Sequence, residues 1–232
     1  MNGRVDLHSH ILPGADHGSD GVATSLRALD LLWEAGVKKV VATPHFYPQR
    51  VSIDEFLAKR AYCAEALKEA VKGETPTVYL GAEVLICRGM EELRDLPKLC
   101  IGGTDLLLLE MPFRAFDEQL LDTVYRITQR GDVRLVMAHI DRYGEEDVAE
   151  LMDLDVSAQI NATALAGFFK KKPLLRYIEE GRVCALATDL HMASESTMKK
   201  YKKGLAKLGE PLESAVNARA SALLEKAIPL FG

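Results

Sequence analysis

None of the six histidines in this chain lies within a stretch of helical periodicity. Five of them close short apolar runs. His8-Ser9-His10 ends Arg4-Val5-Asp6-Leu7, His45 follows Val40-Val41-Ala42-Thr43, His139 follows Leu135-Val136-Met137-Ala138, and Asp189-Leu190-His191 follows Cys184-Ala185-Leu186-Ala187. The sixth, His17, sits on the Gly-rich loop Pro13-Gly14-Ala15-Asp16-His17-Gly18. Imidazoles and carboxylates at the ends of several strands, far apart in sequence, describe a polynuclear metal site, and they meet only in a fold that gathers many strand ends.

The runs predict strands over 4–7, 38–43, 77–81, 105–111, 133–138, 157–161 and 183–188. Unbroken stretches such as Leu106 to Leu109 suit parallel strands buried on both faces. Helices are predicted over 22–36, 53–72, 116–130, 145–153, 173–181, 195–208 and 212–227. Leu26, Leu29, Leu32 and Trp33 recur at helical spacing, Gly36 stands at a C-terminal stop, and Ser52 with Glu55 reads as a capping box. No linker or internal repeat interrupts the alternation, so residues 1–232 read as a single domain. An open sheet joins only neighbouring strands at a switch point, whereas a barrel brings all strand ends to one mouth. The spread of the histidines therefore predicts an α/β fold of the TIM-like type, an irregular seven-stranded (β/α) barrel.

The net charge of −5 disfavours a surface that coats nucleic acid. Cys63, Cys87, Cys100 and Cys184 are scattered without a CxxC pair, the pattern of reduced thiols in a cytoplasmic protein. The N-terminus enters a strand without a signal-peptide core, and no apolar run reaches membrane-spanning length. No GxxxxGK(S/T) or GxGxxG stretch is present, and no cysteine has arginine six positions on, as a cysteine-dependent tyrosine phosphatase loop requires.

His8 and His10, two apart on a strand, share one face and can chelate one ion. Asp189 and His191 repeat that spacing. Glu83 and Glu110 are each the lone acid in an apolar run, where a carboxylate is costly unless paired or metal-bound. Arg142, three residues beyond His139, suits a phosphoryl oxygen, although a solvated loop arginine fits the local sequence as well.

Taken in order, Asp6 to Gly18, Ala42-Thr43-Pro44-His45, Gly81-Ala82-Glu83, Leu109-Glu110-Met111-Pro112-Phe113, Ala138-His139-Ile140-Asp141-Arg142-Tyr143 and Thr188-Asp189-Leu190-His191 resemble the polymerase-and-histidinol-phosphatase (PHP) superfamily. Within it the chain resembles the bacterial capsule and exopolysaccharide protein-tyrosine phosphatases of the CpsB/CapC-like branch. The likeness runs from residue 5 to about 191, with Asn217-Ala218-Arg219 resembling the family's ending.

The resemblance implies three divalent ions, usually manganese, with iron or zinc able to occupy such sites. One would take His8, His10, Glu83 and Asp189; a second Glu83, Glu110 and His139; a third Asp16, His45 and His191. Glu83, Asp189, Arg142 and His17 are the implied catalytic groups. Water activated by the ions would attack phosphorus in line, with Arg142 holding developing charge. The implied partner is a tyrosine-phosphorylated protein, an autophosphorylating bacterial tyrosine kinase that governs polysaccharide export, in the cytoplasm and with no nucleic acid. Two positions depart from the family pattern. His17 stands where relatives carry a second acid and reads as an extra ligand, a proton donor or a loop residue. Ser196 stands in place of a phosphate-binding arginine, for which Lys199 or Lys200 is a candidate substitute. Lys170 to Lys172 and Lys199 to Lys203 read as solvated faces. The competing readings are a PHP small-molecule phosphatase acting on histidinol phosphate or a nucleotide, a nuclease, and a metal-bound inactive partner of a kinase.

Overall fold

The structure, a computed structural model, describes residues 3–167 and 171–232, with side chains from residue 172 onward in the second segment. Lys170 and the side chain of Lys171 therefore lie outside the described residues, while Lys172 is exposed. The strands are β1 (Arg4–Ser9), β2 (Val37–Ala42), β3 (His45–Phe46), β4 (Thr77–Leu80), β5 (Glu83–Leu85), β6 (Leu106–Glu110), β7 (Arg134–Met137), β8 (Ser157–Asn161), β9 (Val183–Ala187) and β10 (Pro229–Phe231). The helices are α1 (Val22–Glu34), α2 (Ile53–Ala70), α3 (Glu118–Thr128), α4 (Glu145–Met152), α5 (Lys171–Glu179), α6 (Glu195–Leu208) and α7 (Glu210–Leu223).

Local chemistry sets the helix ends. Ser52 and Glu55 form the reciprocal capping box at the start of α2, and Asp117 and Ser194 accept backbone N–H groups at the starts of α3 and α6. Gly36 takes the left-handed backbone (φ +80°) that turns α1 into β2, with its N–H on the Trp33 carbonyl.

The strands pair in two sheets, ordered β1-β2-β4-β10 and β3-β5-β6-β7-β8-β9. All pairings are parallel except that of β10 with β4. Two of the expected strands, 38–43 and 77–81, are each followed by a short further strand: Thr43-Pro44 separates β2 from β3, and Gly81-Ala82 separates β4 from β5, so at each break the chain passes from one sheet to the other. Proline has no N–H to donate, and a Cβ on Gly81 would crowd Val41, Ile101 and Thr43. The far edges approach as well. Ser9 and Leu190 form a parallel bridge, the Leu190 carbonyl accepts His10 N–H at 3.0 Å, and the His8 carbonyl accepts Asp189 N–H at 2.9 Å. The strands thus form two sheets, parallel but for β10, whose outer edges meet at this bridge.

Apolar packing lies on both faces of the strands. Leu107, Leu109, Leu135 and Met137 pack in the larger core, while Leu106, Leu108, Val136 and Ala138 join Val5, Leu7 and Val41 in a second cluster with Ala220 and Leu224 from the C-terminal region. Adjacent residues of β6 thus enter different cores, which explains the unbroken Leu106–Leu109 run. Burying one such side chain contributes roughly 1.5–3 kcal/mol. Glu110 continues the face of Leu106 and Leu108, so the second cluster leads straight into a buried carboxylate.

Two stretches lie outside the predicted elements. The third predicted strand is followed by short 3-10 turns at Met90–Glu92 and Leu96–Leu99 where an α-helix would complete the alternation. The antiparallel β10 pairs with residues some 150 positions earlier, and nothing local in Pro229–Phe231 signals it.

Candidate metal centre

The sheet registers deliver the polar residues to one place. His45 and Glu83 are ladder partners across β3 and β5, and Glu110 pairs with Leu85 one strand further on. His8, Glu83 and His139 are all but inaccessible to solvent. His139 (φ 30°) and Asp189 (φ 49°) adopt left-handed backbone, as does Met192 (φ 55°). Such backbone costs non-glycine residues about 1–3 kcal/mol each and recurs where a side chain must be aimed.

Four atoms converge at the centre. His8 Nε2 and His10 Nε2 are 3.1 Å apart. Glu83 Oε2 lies 3.3 and 3.2 Å from them, and Asp189 Oδ1 lies 3.4 Å from each. The outer ring nitrogens are already engaged: His8 Nδ1 faces the Gln159 side-chain oxygen at 3.1 Å, and His10 Nδ1 faces Asp16 Oδ2 at 2.7 Å. Both partners only accept, so each imidazole carries a proton on Nδ1. Two Nε2 atoms and two carboxylate oxygens then face one another across the centre, and the carboxylates draw positive charge onto both rings. Two imidazoles with two carboxylates are a suitable donor set for a divalent ion.

The rest of the centre repeats the pattern. Glu83 Oε1 is 2.8 Å from His139 Nε2, and Glu110 Oε1 is 3.6 Å from the same nitrogen. His45 Nδ1 lies 2.9 Å from Glu83 Oε2 and 3.9 Å from Glu110 Oε2, yet makes no hydrogen bond and is buried without a partner. Close approach without hydrogen-bond geometry is what two ligands of a common ion show. Three groups have ligand atoms close enough to share an ion: His8 with His10 and Asp189, His45 with Glu83 and Glu110, and His10 with His45 and His191.

Electrostatics follow from these contacts. Burial pushes the Glu83 carboxyl up, but His8, His10, His139 and His45 more than reverse it and hold it well below the usual range. Burial pushes His139 down, and Glu110 and Glu83 bring it up to about 9. His191 is held down at about 4, first by burial and then by the charge of His10.

Nine of the sequence-predicted ligands gather here, but their grouping differs in part. Asp16 is in none of the three groups close enough to share an ion. Its carboxylate instead binds His10 Nδ1 and accepts the backbone N–H groups of His45 (2.9 Å) and Gly18 (2.8 Å). His17 is exposed, its ring 4.7 Å from that of His45 and 4.8 Å from that of His191, so it borders the opening. Arg142 bonds Asp189 Oδ2 while its own side chain is 41% exposed. Ser196 is exposed and bonded to Ser194. Lys199 and Lys200 are exposed on α6, and no ion pair joins either to the centre's carboxylates among the described residues.

Sequence reasoning overlooked the supporting residues. Gln159 donates from Nε2 to Asn161 Oδ1 at 2.8 Å, and Asn161 Nδ2 donates to Asp189 Oδ2 at 3.1 Å. Asp6 accepts the N–H groups of His8 and Thr188 and the Thr188 hydroxyl, tying β1 to the end of β9. The signal was present: Gln159 and Asn161 interrupt a buried strand as Glu83 and Glu110 do.

Parallel α/β sheets whose strand ends carry buried imidazoles and carboxylates define a protein built to bind metal ions at one end of its sheets. Its family follows from comparison: the profile for capsular polysaccharide synthesis, CpsB/CapC, matches residues 4–217, and the chain belongs to that family. It is 29% identical over 199 residues to the tyrosine-protein phosphatase YwqE of Bacillus subtilis (strain 168), covering 81% of this chain and 77% of that one. It is 25% identical over 206 residues to the tyrosine-protein phosphatase CpsB of Streptococcus pneumoniae, covering 81% and 82%. A solved structure from the work on YwqE and CpsB, described there as unique metal-dependent tyrosine phosphatases, superposes with a TM-score of 0.76 at 24% identity, over 97% of this chain and 95% of that one. That superposition shows a shared fold.

Proposed function

We propose that the chain is a metal-dependent protein-tyrosine phosphatase of capsule or exopolysaccharide synthesis. Its target is a tyrosine-phosphorylated protein, an autophosphorylating bacterial kinase, in the cytoplasm. The observation that carries the reading is the meeting of one ligand atom each from His8, His10, Glu83 and Asp189 at a single buried point. We read the ions as three, manganese in the first instance, held by His8, His10, Glu83 and Asp189; by Glu83, Glu110, His139 and His45; and by His191 with His45 and Asp16 or His10. The two sheets are read as one irregular seven-stranded barrel forming a single domain, with β2–β3 and β4–β5 each a broken strand and the Ser9–Leu190 bridge its seam. No helix among the described residues is long and apolar enough to cross a membrane.

Divalent ions bound there supply Lewis-acid polarisation of the phosphoryl oxygens and lower the pKa of water at the site. The chain's own residues do the positioning. Gln159 and Asp16 fix the tautomers of His8 and His10, and Asn161 orients Asp189. Arg142, half in solvent and anchored on Asp189, presents its remaining N–H groups at the opening, where planar donors suit phosphoryl oxygens. A phenolate leaving group, whose conjugate acid has a pKa of about 10, needs little proton assistance. The role of His17 is then to border the entrance.

The test compares turnover of a phosphotyrosine peptide, histidinol phosphate and nucleoside monophosphates by manganese-loaded protein. Hydrolysis of the peptide, lost in His45→Ala and Asp189→Ala, supports the reading. Turnover of the small metabolites alone replaces it with a small-molecule phosphatase, and no turnover at all leaves an inactive binding partner.

A further inference from the structure

Phe113 is 66% exposed, a poor place for a phenyl ring unless something covers it in use. It lies three residues beyond Glu110, and its ring stacks on His139, with centroids 5.9 Å apart and planes 20° from parallel. Tyr47 likewise stacks on His45 at 5.3 Å and 16°. The two histidines approach opposite oxygens of one carboxylate: His139 Nε2 lies 2.8 Å from Glu83 Oε1, and His45 Nδ1 lies 2.9 Å from Glu83 Oε2. Each aromatic ring therefore rests on a histidine that meets a different oxygen of Glu83. Tyr143 fixes the Phe113 side from below. Its ring is 6.1 Å from that of Phe113, it is buried, and its hydroxyl accepts the Met111 N–H at 3.0 Å.

We propose that Phe113, with Tyr47, is the specificity-determining platform for the aryl group of the substrate. A phosphoryl group seated over Glu83 would send its ester substituent out toward these rings. A flat aromatic substituent would stack there, covering Phe113, whereas an aliphatic one would leave the rings wet. This inference rests on the reading of the centre as an aryl-phosphate hydrolase, and it adds the residues by which phosphotyrosine is told from alkyl phosphates. Aromatic stacking of this kind changes affinity by roughly three- to tenfold.

Phenylphosphonate and methylphosphonate share a charged head and differ by the ring. Their binding to manganese-loaded protein is measured by calorimetry for the native chain, Phe113→Ala and Tyr47→Leu. The expected result is a native preference for the phenyl compound that falls roughly three- to tenfold in Phe113→Ala and shifts the same way in Tyr47→Leu, with methylphosphonate affinity unchanged in Phe113→Ala. Unchanged preference in Phe113→Ala overturns the proposal, as does equal weakening of both compounds, which would make Phe113 a support for His139 and no more. Turnover of phosphotyrosine peptide by the native protein is scored separately. If that fails while the phosphonates bind, the phosphatase reading falls, and the platform is judged by the binding ratio alone.

Discussion

The side-chain oxygen of Gln159 lies 3.1 Å from Nδ1 of His8, and the same oxygen accepts the backbone N–H of His139 at 2.7 Å. One carboxamide thus sets the tautomer of a histidine on β1 and holds the kinked backbone of a histidine beyond β7. Replacing it with leucine, of similar size and without an acceptor, leaves His8 free to place its proton on Nε2, inside the centre. Gln159→Leu is expected to weaken manganese binding about 10–100-fold, as measured by competition with a chelator. Turnover at saturating metal should recover in large part. A variant that binds metal like the native chain would show that the His8 tautomer is set by something else.

Arg142 and Asp189 make the next prediction. The arginine side chain is 41% exposed and the aspartate side chain 1%, so the pair runs from the floor of the centre to solvent. An arginine that also holds a phosphoryl oxygen contributes charge-assisted hydrogen bonds of about 1.5–3 kcal/mol. Arg142→Ala is therefore expected to lower kcat/KM on p-nitrophenyl phosphate about 10–100-fold, mainly through KM. Arg142→Lys should restore less than half of that loss on a logarithmic scale, because a point charge cannot fork between Asp189 and substrate. Full rescue by lysine would reduce Arg142 to a source of net charge.

How much of this was legible in the chain depends on how local the cause is. Buried parallel strands leave apolar runs, and Glu83 or Glu110 inside such a run is conspicuous because an isolated carboxylate is so costly there. The helix ends at Ser52 and Gly36 are written in single residues. The short strands β3 and β5 lie beyond the predicted strands 38–43 and 77–81, because two or three residues past a break are too few to show a period of their own. Spacing places the loop residue Asp16 near the site without saying which side of a ring it meets, so its contact with His10 Nδ1 is visible only in the fold. Gln159 and Asn161 were legible by the argument used for the acids, but neutral amides draw less notice than charges.

Gly18 is confined by sterics and not by backbone angle. A Cβ built there would lie 2.2 Å from His10 Cβ, 2.5 Å from the His10 carbonyl oxygen and 2.9 Å from Asp16 Oδ1. Two of these atoms cannot swing away, so Gly18→Ala must displace the loop that joins Asp16 to His10. Overpacking of this kind costs typically 1–3 kcal/mol, and a chain of this size loses about 2–4 °C of melting temperature per kcal/mol. Gly14 is the control: its φ is +67°, but nothing lies within 4 Å of an added Cβ. Gly14→Ala should cost about 1 kcal/mol in backbone strain with metal affinity intact, while Gly18→Ala loses both stability and affinity. Equal metal affinities in the two variants would disconnect the loop from the centre.

Asp6 gives a prediction in pH. Burial pushes its carboxyl up from 3.8 to about 6, against the lowering effect of the Thr188 hydroxyl, the Thr188 and His8 N–H groups and the charge of His8. A carboxyl that holds its proton more tightly in the folded state binds more protons folded than unfolded between those two values. Stability from this group is therefore highest below the unfolded value and falls as pH rises through the folded one, by on the order of 3 kcal/mol in all. In Asp6→Asn the amide oxygen can still accept the two N–H groups, and no charge appears on raising the pH. Urea unfolding of the chelator-treated native protein and of Asp6→Asn, compared from about pH 4 to about pH 7, should show the native chain losing ground steadily to the variant across that window. A difference that stays flat would mean that the Thr188 and His8 contacts offset burial in full. Asp6 would then be ionised in the fold at little cost, and the link between β1 and the end of β9 would stabilise the protein at every pH in that range.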